Sequence, residues 1–267
     1  MPAASDASVS SGDVLASDLV DDPTRSPRAE PIRALRTAHR RREWGKHASL
    51  AAVALGATGG FLAVARMIRG AGSTGFDRSL VRGLGRTRSP ITNAIARALT
   101  FFGGVTGATL VSAATLIAAR RRPRLGAQVV TGVLGGAFAE LVIKRWYMRE
   151  RPTLLAHLEN VSSTSFPSGH SMAAAALYLT LGFVASRSPR LRTHRLALLA
   201  GGGSFAAAIG ASRVYLGVHW PTDVMAGFAL GTGWACLTEA AFDLAGAVQI
   251  ENETLVEATT DAHAGVD

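Results

Sequence analysis

Residues 125–152 read LGAQVVTGVLGGAFAELVIKRWYMRERP: an apolar run over 125–143 followed at once by Lys144, Arg145, Arg149 and Arg151. A helix crosses a bilayer core with roughly 20 apolar residues, and a basic cluster at the end of such a run marks where the chain leaves the lipid. The pattern recurs on both sides of this stretch. Blocks almost free of charge lie at 48–65, 91–119, 125–143, 171–185, 196–211 and 224–248. They predict an all-α fold, a polytopic membrane helix bundle with six transmembrane helices. The 91–119 block is longer than one crossing needs, so its start is expected in the interface. The 171–185 and 196–211 blocks are short and need tilt or local thinning.

Composition alone does not separate water from lipid, since 48% hydrophobic residues suits either. Distribution does. The net charge of +9 would point to nucleic acid in a soluble protein, but here the basic residues fall between the apolar blocks. The partner they imply is the bilayer, and no nucleic acid. The single cysteine, Cys236, lies inside an apolar block, which excludes an intrachain disulfide and a thiol-ligated zinc site. Neither a metal nor a cofactor is expected.

Three regions follow. Residues 1–47 lack apolar periodicity and are expected to form a disordered cytoplasmic tail, 48–248 the six-span domain, and 249–267 a short acidic tail. The first apolar block stands too far along the chain for a removable signal and is expected to remain as an anchor. Arg40, Arg41, Arg42 and Lys46 precede it and favour a cytoplasmic N-terminus. Six crossings then return the C-terminus to the cytoplasm and place the linkers after spans one, three and five outside. The arginines after span three run against the positive-inside rule there and need another explanation. Between spans one and two, Phe76, Leu80 and Leu84 recur every fourth residue among arginines, the pattern of a short amphipathic interfacial helix. A solvated basic loop is the alternative.

Three polar clusters converge on the outward ends of spans three to six: KRWYMRERP (144–152), FPSGH (166–170) and SRVYLGVHWPTD (212–223). Lys144, Arg151 and Arg213 offer three cations, a set suited to the equatorial oxygens of a phosphoryl group. Ser168, Gly169 and His170 open a helix, where backbone N–H groups and a hydroxyl can meet an anion. His219 precedes Asp223 by four residues, close enough for the carboxylate to hold one ring nitrogen and leave the other free to attack phosphorus. His170 is placed to protonate the leaving oxygen and then to activate water. Glu140 lies four residues before Lys144 and can pair with it.

Taken singly, each feature has a plainer reading. Lys144, Arg145, Arg149 and Arg151 could be interfacial anchors, Asp223 a first-turn acid complementing the helix dipole, and Trp146, Tyr147, Tyr215 and Trp220 an aromatic belt rather than a lipid-entry rim. Glu239 and Asp243 read as interfacial without a nameable partner. Jointly, the spacings Lys-x6-Arg-Pro, Pro-Ser-Gly-His and Ser-Arg-x5-His-x3-Asp resemble the tripartite signature of the type 2 phosphatidic acid phosphatase (PAP2) superfamily at every fixed position. The resemblance implies a PAP2/haloperoxidase-like core, with His219 forming a phosphohistidine, Asp223 orienting it and His170 as general acid. It further implies that Lys144, Arg151, Ser168, Gly169 and Arg213 hold the phosphate, without metal.

The expected activity is hydrolysis of a phosphate monoester or diphosphate on a membrane lipid: phosphatidic acid, phosphatidylglycerophosphate or a polyprenyl diphosphate. The expected location is the cytoplasmic membrane, with the site on its outer face. Two other readings stay open at this point, a vanadate-dependent haloperoxidase, which shares the constellation, and a non-catalytic membrane scaffold or transporter.

Overall fold

A computed structural model describes residues 29–264, and every regular element among them is helical. The elements are α1 (Ala29–Ala71), α2 (Gly75–Gly85), α3 (Pro90–Phe101), α4 (Val105–Ala118), α5 (Pro123–Lys144), α6 (Gly169–Ser186), α7 (Arg195–Tyr215) and α8 (Pro221–Ala264), with a 3-10 turn at Arg192–His194 before α7. The chain divides into two compact units, Met1–Lys46 and His47–Asp267. The described part of the first is helix from Ala29 onward.

Helix extends into both regions that flank the six apolar blocks. Residues 1–28 of the first lie outside the described residues, but 29–47 are helical, and α8 runs through 249–264. The reason is cooperativity: once an apolar helix has formed, each added residue costs little. Pro31 falls in the first turn of α1, where no intrahelical N–H is required of it.

Four helical segments are long and apolar enough to cross a membrane, namely Glu43–Arg69, Pro123–Lys144, Gly169–Ser186 and Arg192–Tyr215. The 91–119 block is not one straight span. It is α3 and α4, bent by 52°. The break falls at Gly103 and Gly104, and Gly107 in the first turn of α4 passes so close to the Phe101 carbonyl that a Cβ there would collide with it. Counted as one, the bent pair gives five crossings, and α8 does not reach the same apolar threshold, so the expected six are not met on length and composition. Gly227, Gly231, Gly233 and Glu239 dilute α8 because much of it packs against helices, where small residues serve better than lipid-facing ones.

At the centre lies α6, packed against α5, α7 and α8. Its Met172, Ala174, Ala175, Ala176, Leu177 and Thr180 are buried. The α6–α8 approach depends on Gly227 and Gly231, where an added Cβ would collide with the backbone oxygens of Ser168 and Met172. Leu110, Ile117, Leu134, Phe138 and Leu141 are exposed on α4 and α5, a placement that suits lipid contact. The chain is a multi-pass membrane protein.

The predicted amphipathic helix is α2, opened by a capping box between Thr74 and Asp77. Phe76 and Leu80 face outward, while Asp77 and Val81 are wholly buried. At the other end of the bundle, Glu239 is buried and accepts from Gln128 Nε2 and Arg187 Nη2, both at 2.8 Å. Arg187 also holds Asp243 at 2.9 Å, so the partners that the sequence could not name for these two acids include Gln128 and Arg187.

Replacing Gly231 with Ala is expected to cost about 1–3 kcal/mol by overpacking and to lower the thermal midpoint in detergent. Gly201→Ala, where nothing lies within 4 Å, serves as the control and is expected not to lower it.

Candidate active site

Four stretches deliver the polar residues to one end of α6. Lys144 closes α5, the connection to α6 supplies Arg149 and Arg151, Ser168 caps α6, and Arg213 lies in the last turn of α7. Gly217, at φ +80°, turns the chain back on itself, a conformation that favours glycine. Val218 N–H then bonds to the Arg213 carbonyl at 3.2 Å, which sets His219 in the short link before α8. Asp223 occupies the first turn of α8.

Lys144, Arg151, Gly169, His170, Arg213 and His219 line one cavity of about 460 Å³. Its remaining wall is largely apolar, formed by Val105 and Ala108 of α4 and Val133, Leu134 and Ala137 of α5. His219 Nε2 stands 3.2 Å from Arg151 Nη1. Arg151 is fixed by the carbonyls of Val218 and Ser163, the latter at 2.8 Å from Nε. Arg213, buried, donates to Thr100 Oγ1 at 2.7 Å and to the carboxylate of Glu159. Lys144 pairs with Glu140 at 2.7 Å. That carboxylate lies directly against Gly169, in the space a Cβ there would occupy.

Ser168 is not among the residues that line the cavity. Its hydroxyl accepts from Ser171 Oγ at 2.9 Å, and its N–H bonds the Asp223 carbonyl at 3.0 Å, tying α6 to α8. Asp223 lies behind His219, with Oδ2 at 3.6 Å from Nδ1, a separation too long for a hydrogen bond. Among the described residues Nδ1 has no hydrogen-bond partner. The carboxylate accepts instead from Arg149, from the Ser165 hydroxyl and from Trp220 N–H at 2.8 Å.

Burial pushes the His219 imidazole down to about 4, with Arg151 and Arg213 adding to the shift and Asp223 opposing it. The ring is therefore neutral near pH 7, the form with a free lone pair. Arg151 is held below its usual value by burial and by the charge of Arg213.

Several residues that matter here were not assigned from sequence. Arg149, read as an interfacial anchor, has a side chain only 6% exposed and bridges Asp223 and Asp77. Trp220, read as part of a belt, is buried with its Nε1–H on the Glu150 carbonyl at 3.0 Å, and Tyr215 bonds Asn93 at 2.8 Å. Only Trp146, 79% exposed, keeps a belt-like position among these two tryptophans. A lone acid among the arginines of α2 was the one signal for Asp77. Glu159 carried none.

Residues 125–245 match the family model described as PAP2 superfamily. Phosphatidylglycerophosphatase B of Bacillus subtilis (strain 168) is 47% identical over 91 residues, which are 34% of this chain and 44% of that protein. The chain thus spans less than half the length of that relative. Decaprenylphosphoryl-5-phosphoribose phosphatase of Mycolicibacterium smegmatis is 36% identical over 140 residues, 49% of this chain and 69% of that one. The crystal structure of a transmembrane PAP2-type phosphatidylglycerolphosphate phosphatase from Bacillus subtilis superposes with a TM-score of 0.63 at 30% identity, covering 71% of this chain and 95% of that one.

Histidine-labelled protein, with the His219 resonance assigned by its loss in His219→Gln, is expected to show that ring neutral from pH 8 to pH 5 and protonating only near pH 4. A depressed value means the imidazolium is the disfavoured form, so the charge appears only on the acid side. Titration at the ordinary value of about 6.5 would contradict this environment.

Proposed function

The chain belongs to the PAP2 superfamily, and on that premise we propose that it hydrolyses a phosphate monoester or diphosphate on a membrane lipid through a phosphohistidine. The observation that carries the reading is the two-ended cavity. Its polar end joins two histidines to Lys144, Arg151 and Arg213, and its other wall is apolar helix from α4 and α5. A headgroup phosphate fits the first and a hydrocarbon chain the second.

In the first step His219 Nε2 attacks phosphorus, the bond from phosphorus to the lipid oxygen breaks, and His170 gives that oxygen its proton. In the second, His170 takes a proton from water, the resulting hydroxyl attacks phosphorus, the N–P bond breaks, and phosphate leaves with His219 restored. Lys144, Arg151, Arg213 and the start of α6 at Gly169 meet the charge on the equatorial oxygens. The Ser168 hydroxyl joins them after a rotation away from Ser171. Glu140 and Glu159 hold Lys144 and Arg213 before the phosphate arrives, and the arriving anion takes their place. Asp223 closes on Nδ1 as the imidazole gains positive charge.

The substrate classes consistent with the cavity are phosphatidic acid, phosphatidylglycerophosphate and polyprenyl diphosphates; of the named relatives, one is a phosphatidylglycerophosphatase and one a decaprenylphosphoryl-5-phosphoribose phosphatase. The proposed topology counts α8 as the sixth crossing, with both termini cytoplasmic and the cavity at the outer face of the cytoplasmic membrane. Under that topology the arginines after α5 are explained by chemistry: Arg149 and Arg151 serve the site. The haloperoxidase and scaffold readings draw no support from the named relatives.

Purified protein in detergent with EDTA, assayed on phosphatidic acid, phosphatidylglycerophosphate and undecaprenyl diphosphate, is expected to release phosphate from at least one. His219→Ala is expected to lower that turnover by at least about 1,000-fold while inserting normally. Turnover that survives the substitution, or that EDTA abolishes, would refute the mechanism.

A further inference from the structure

Asp77 and Arg149 extend the histidine pair outward in a line of alternating charge. Asp77 and Asp223 are wholly buried, with the Arg149 guanidinium between them. Arg149 Nη2 donates to Asp77 Oδ2 at 2.8 Å, Nη1 donates to Asp223 and to the Thr222 hydroxyl at 2.8 Å, and Nε donates to the Gly72 carbonyl at 2.7 Å. Asp77 also accepts Thr222 N–H at 3.0 Å and the Thr222 hydroxyl at 2.9 Å. The ring of Trp220 lies 5.6 Å from the guanidinium carbon. One acid from α2 thus grips both the first turn of α8 and the arginine that holds Asp223.

We propose that Asp77, acting with Arg149, is a positioning residue for the His219–Asp223 pair, fixing the Asp223 carboxylate and preserving its negative charge for the imidazole. The proposal rests on the reading of His219 as nucleophile. A guanidinium paired with Asp223 alone would cancel its charge one for one. Shared with Asp77, it leaves two carboxylates to one cation, so the cluster keeps a net negative charge beside His219. That charge is needed when Nε2 bonds to phosphorus and the ring becomes cationic, and burial makes it count because screening by water is weak there. Asp77 itself stays ionised in this setting. Burial raises its pKa, but the bonds from Thr74, Thr222 and Arg149 outweigh this and hold it below the usual value.

The competing role for Asp77 is purely local, as the acid of the capping box that starts α2, in which Thr74 Oγ1 accepts the Asp77 N–H at 3.0 Å. Thr74→Ala removes that cap and touches neither Arg149 nor Asp223. The test compares the full-length wild type, His219→Ala, Asp77→Asn and Thr74→Ala in detergent. It measures kcat and KM on whichever lipid the wild type turns over, and inhibition by orthovanadate.

Asp77→Asn is expected to lower kcat about 10- to 100-fold with KM and the vanadate inhibition constant within about two-fold, because the phosphate-holding groups do not touch Asp77. Thr74→Ala is expected to lower the thermal midpoint and leave kcat unchanged. Wild-type kcat in Asp77→Asn, or an equal loss of kcat in Thr74→Ala, would overturn the positioning role. A wild type without turnover on any lipid would overturn the nucleophile reading before any variant is compared.

Discussion

Charge buried at one end of the bundle has to be neutralised there, and this constraint organises everything around the site. Arg149, Arg213, Asp77 and Asp223 are all nearly or wholly removed from solvent. An uncompensated ion in such a place costs several kcal/mol, so each must be paired and hydrogen-bonded. The pairs are made between distant parts of the chain: Arg149 joins α2 to α8, Arg213 joins α7 to the α5–α6 connection through Glu159, and Lys144 with Glu140 braces α5 against Gly169. The far end of the bundle repeats the device, with Glu239 of α8 gripped by Arg187 and Arg195. Helices whose lipid-facing sides supply no specificity are thereby locked in register at both ends.

The same balance of charge explains a site that is assembled without being fully engaged. Asp223 stands back from His219 Nδ1 while its oxygens serve Arg149, Ser165 and Trp220. With the imidazole neutral the ring offers Asp223 no positive charge, and the carboxylate stays with Arg149. Under the proposed mechanism the ring becomes cationic only once Nε2 is bonded to phosphorus, and that is when the carboxylate would gain most from closing. Glu140 and Glu159 pair with Lys144 and Arg213, and in the proposed mechanism an arriving anion replaces those carboxylates.

Much of this was legible in the sequence because spacing along a helix end translates directly into position. Lys144, His170, Arg213 and His219 were expected on one face and line one cavity. Features that depend on contacts between remote segments were not legible. Asp77 meets Arg149 across 72 residues and Thr222 across 145, and no local pattern encodes such a pairing. The bend between α3 and α4 was hidden for a different reason, since Gly103 and Gly104 do not interrupt the apolar run that hydropathy detects. In α8 the glycines and Glu239 that serve packing against neighbouring helices lower its apolar character.

The central claim is that phosphate passes through covalent attachment to His219. Rapid mixing with a substrate labelled at the phosphoryl group, followed by an alkaline quench and peptide mapping, tests it most directly. The account predicts label on the peptide containing His219, stable to base, labile to acid and absent from His219→Ala. Turnover that leaves no label on the protein under pre-steady-state sampling, or label on another residue, would contradict it.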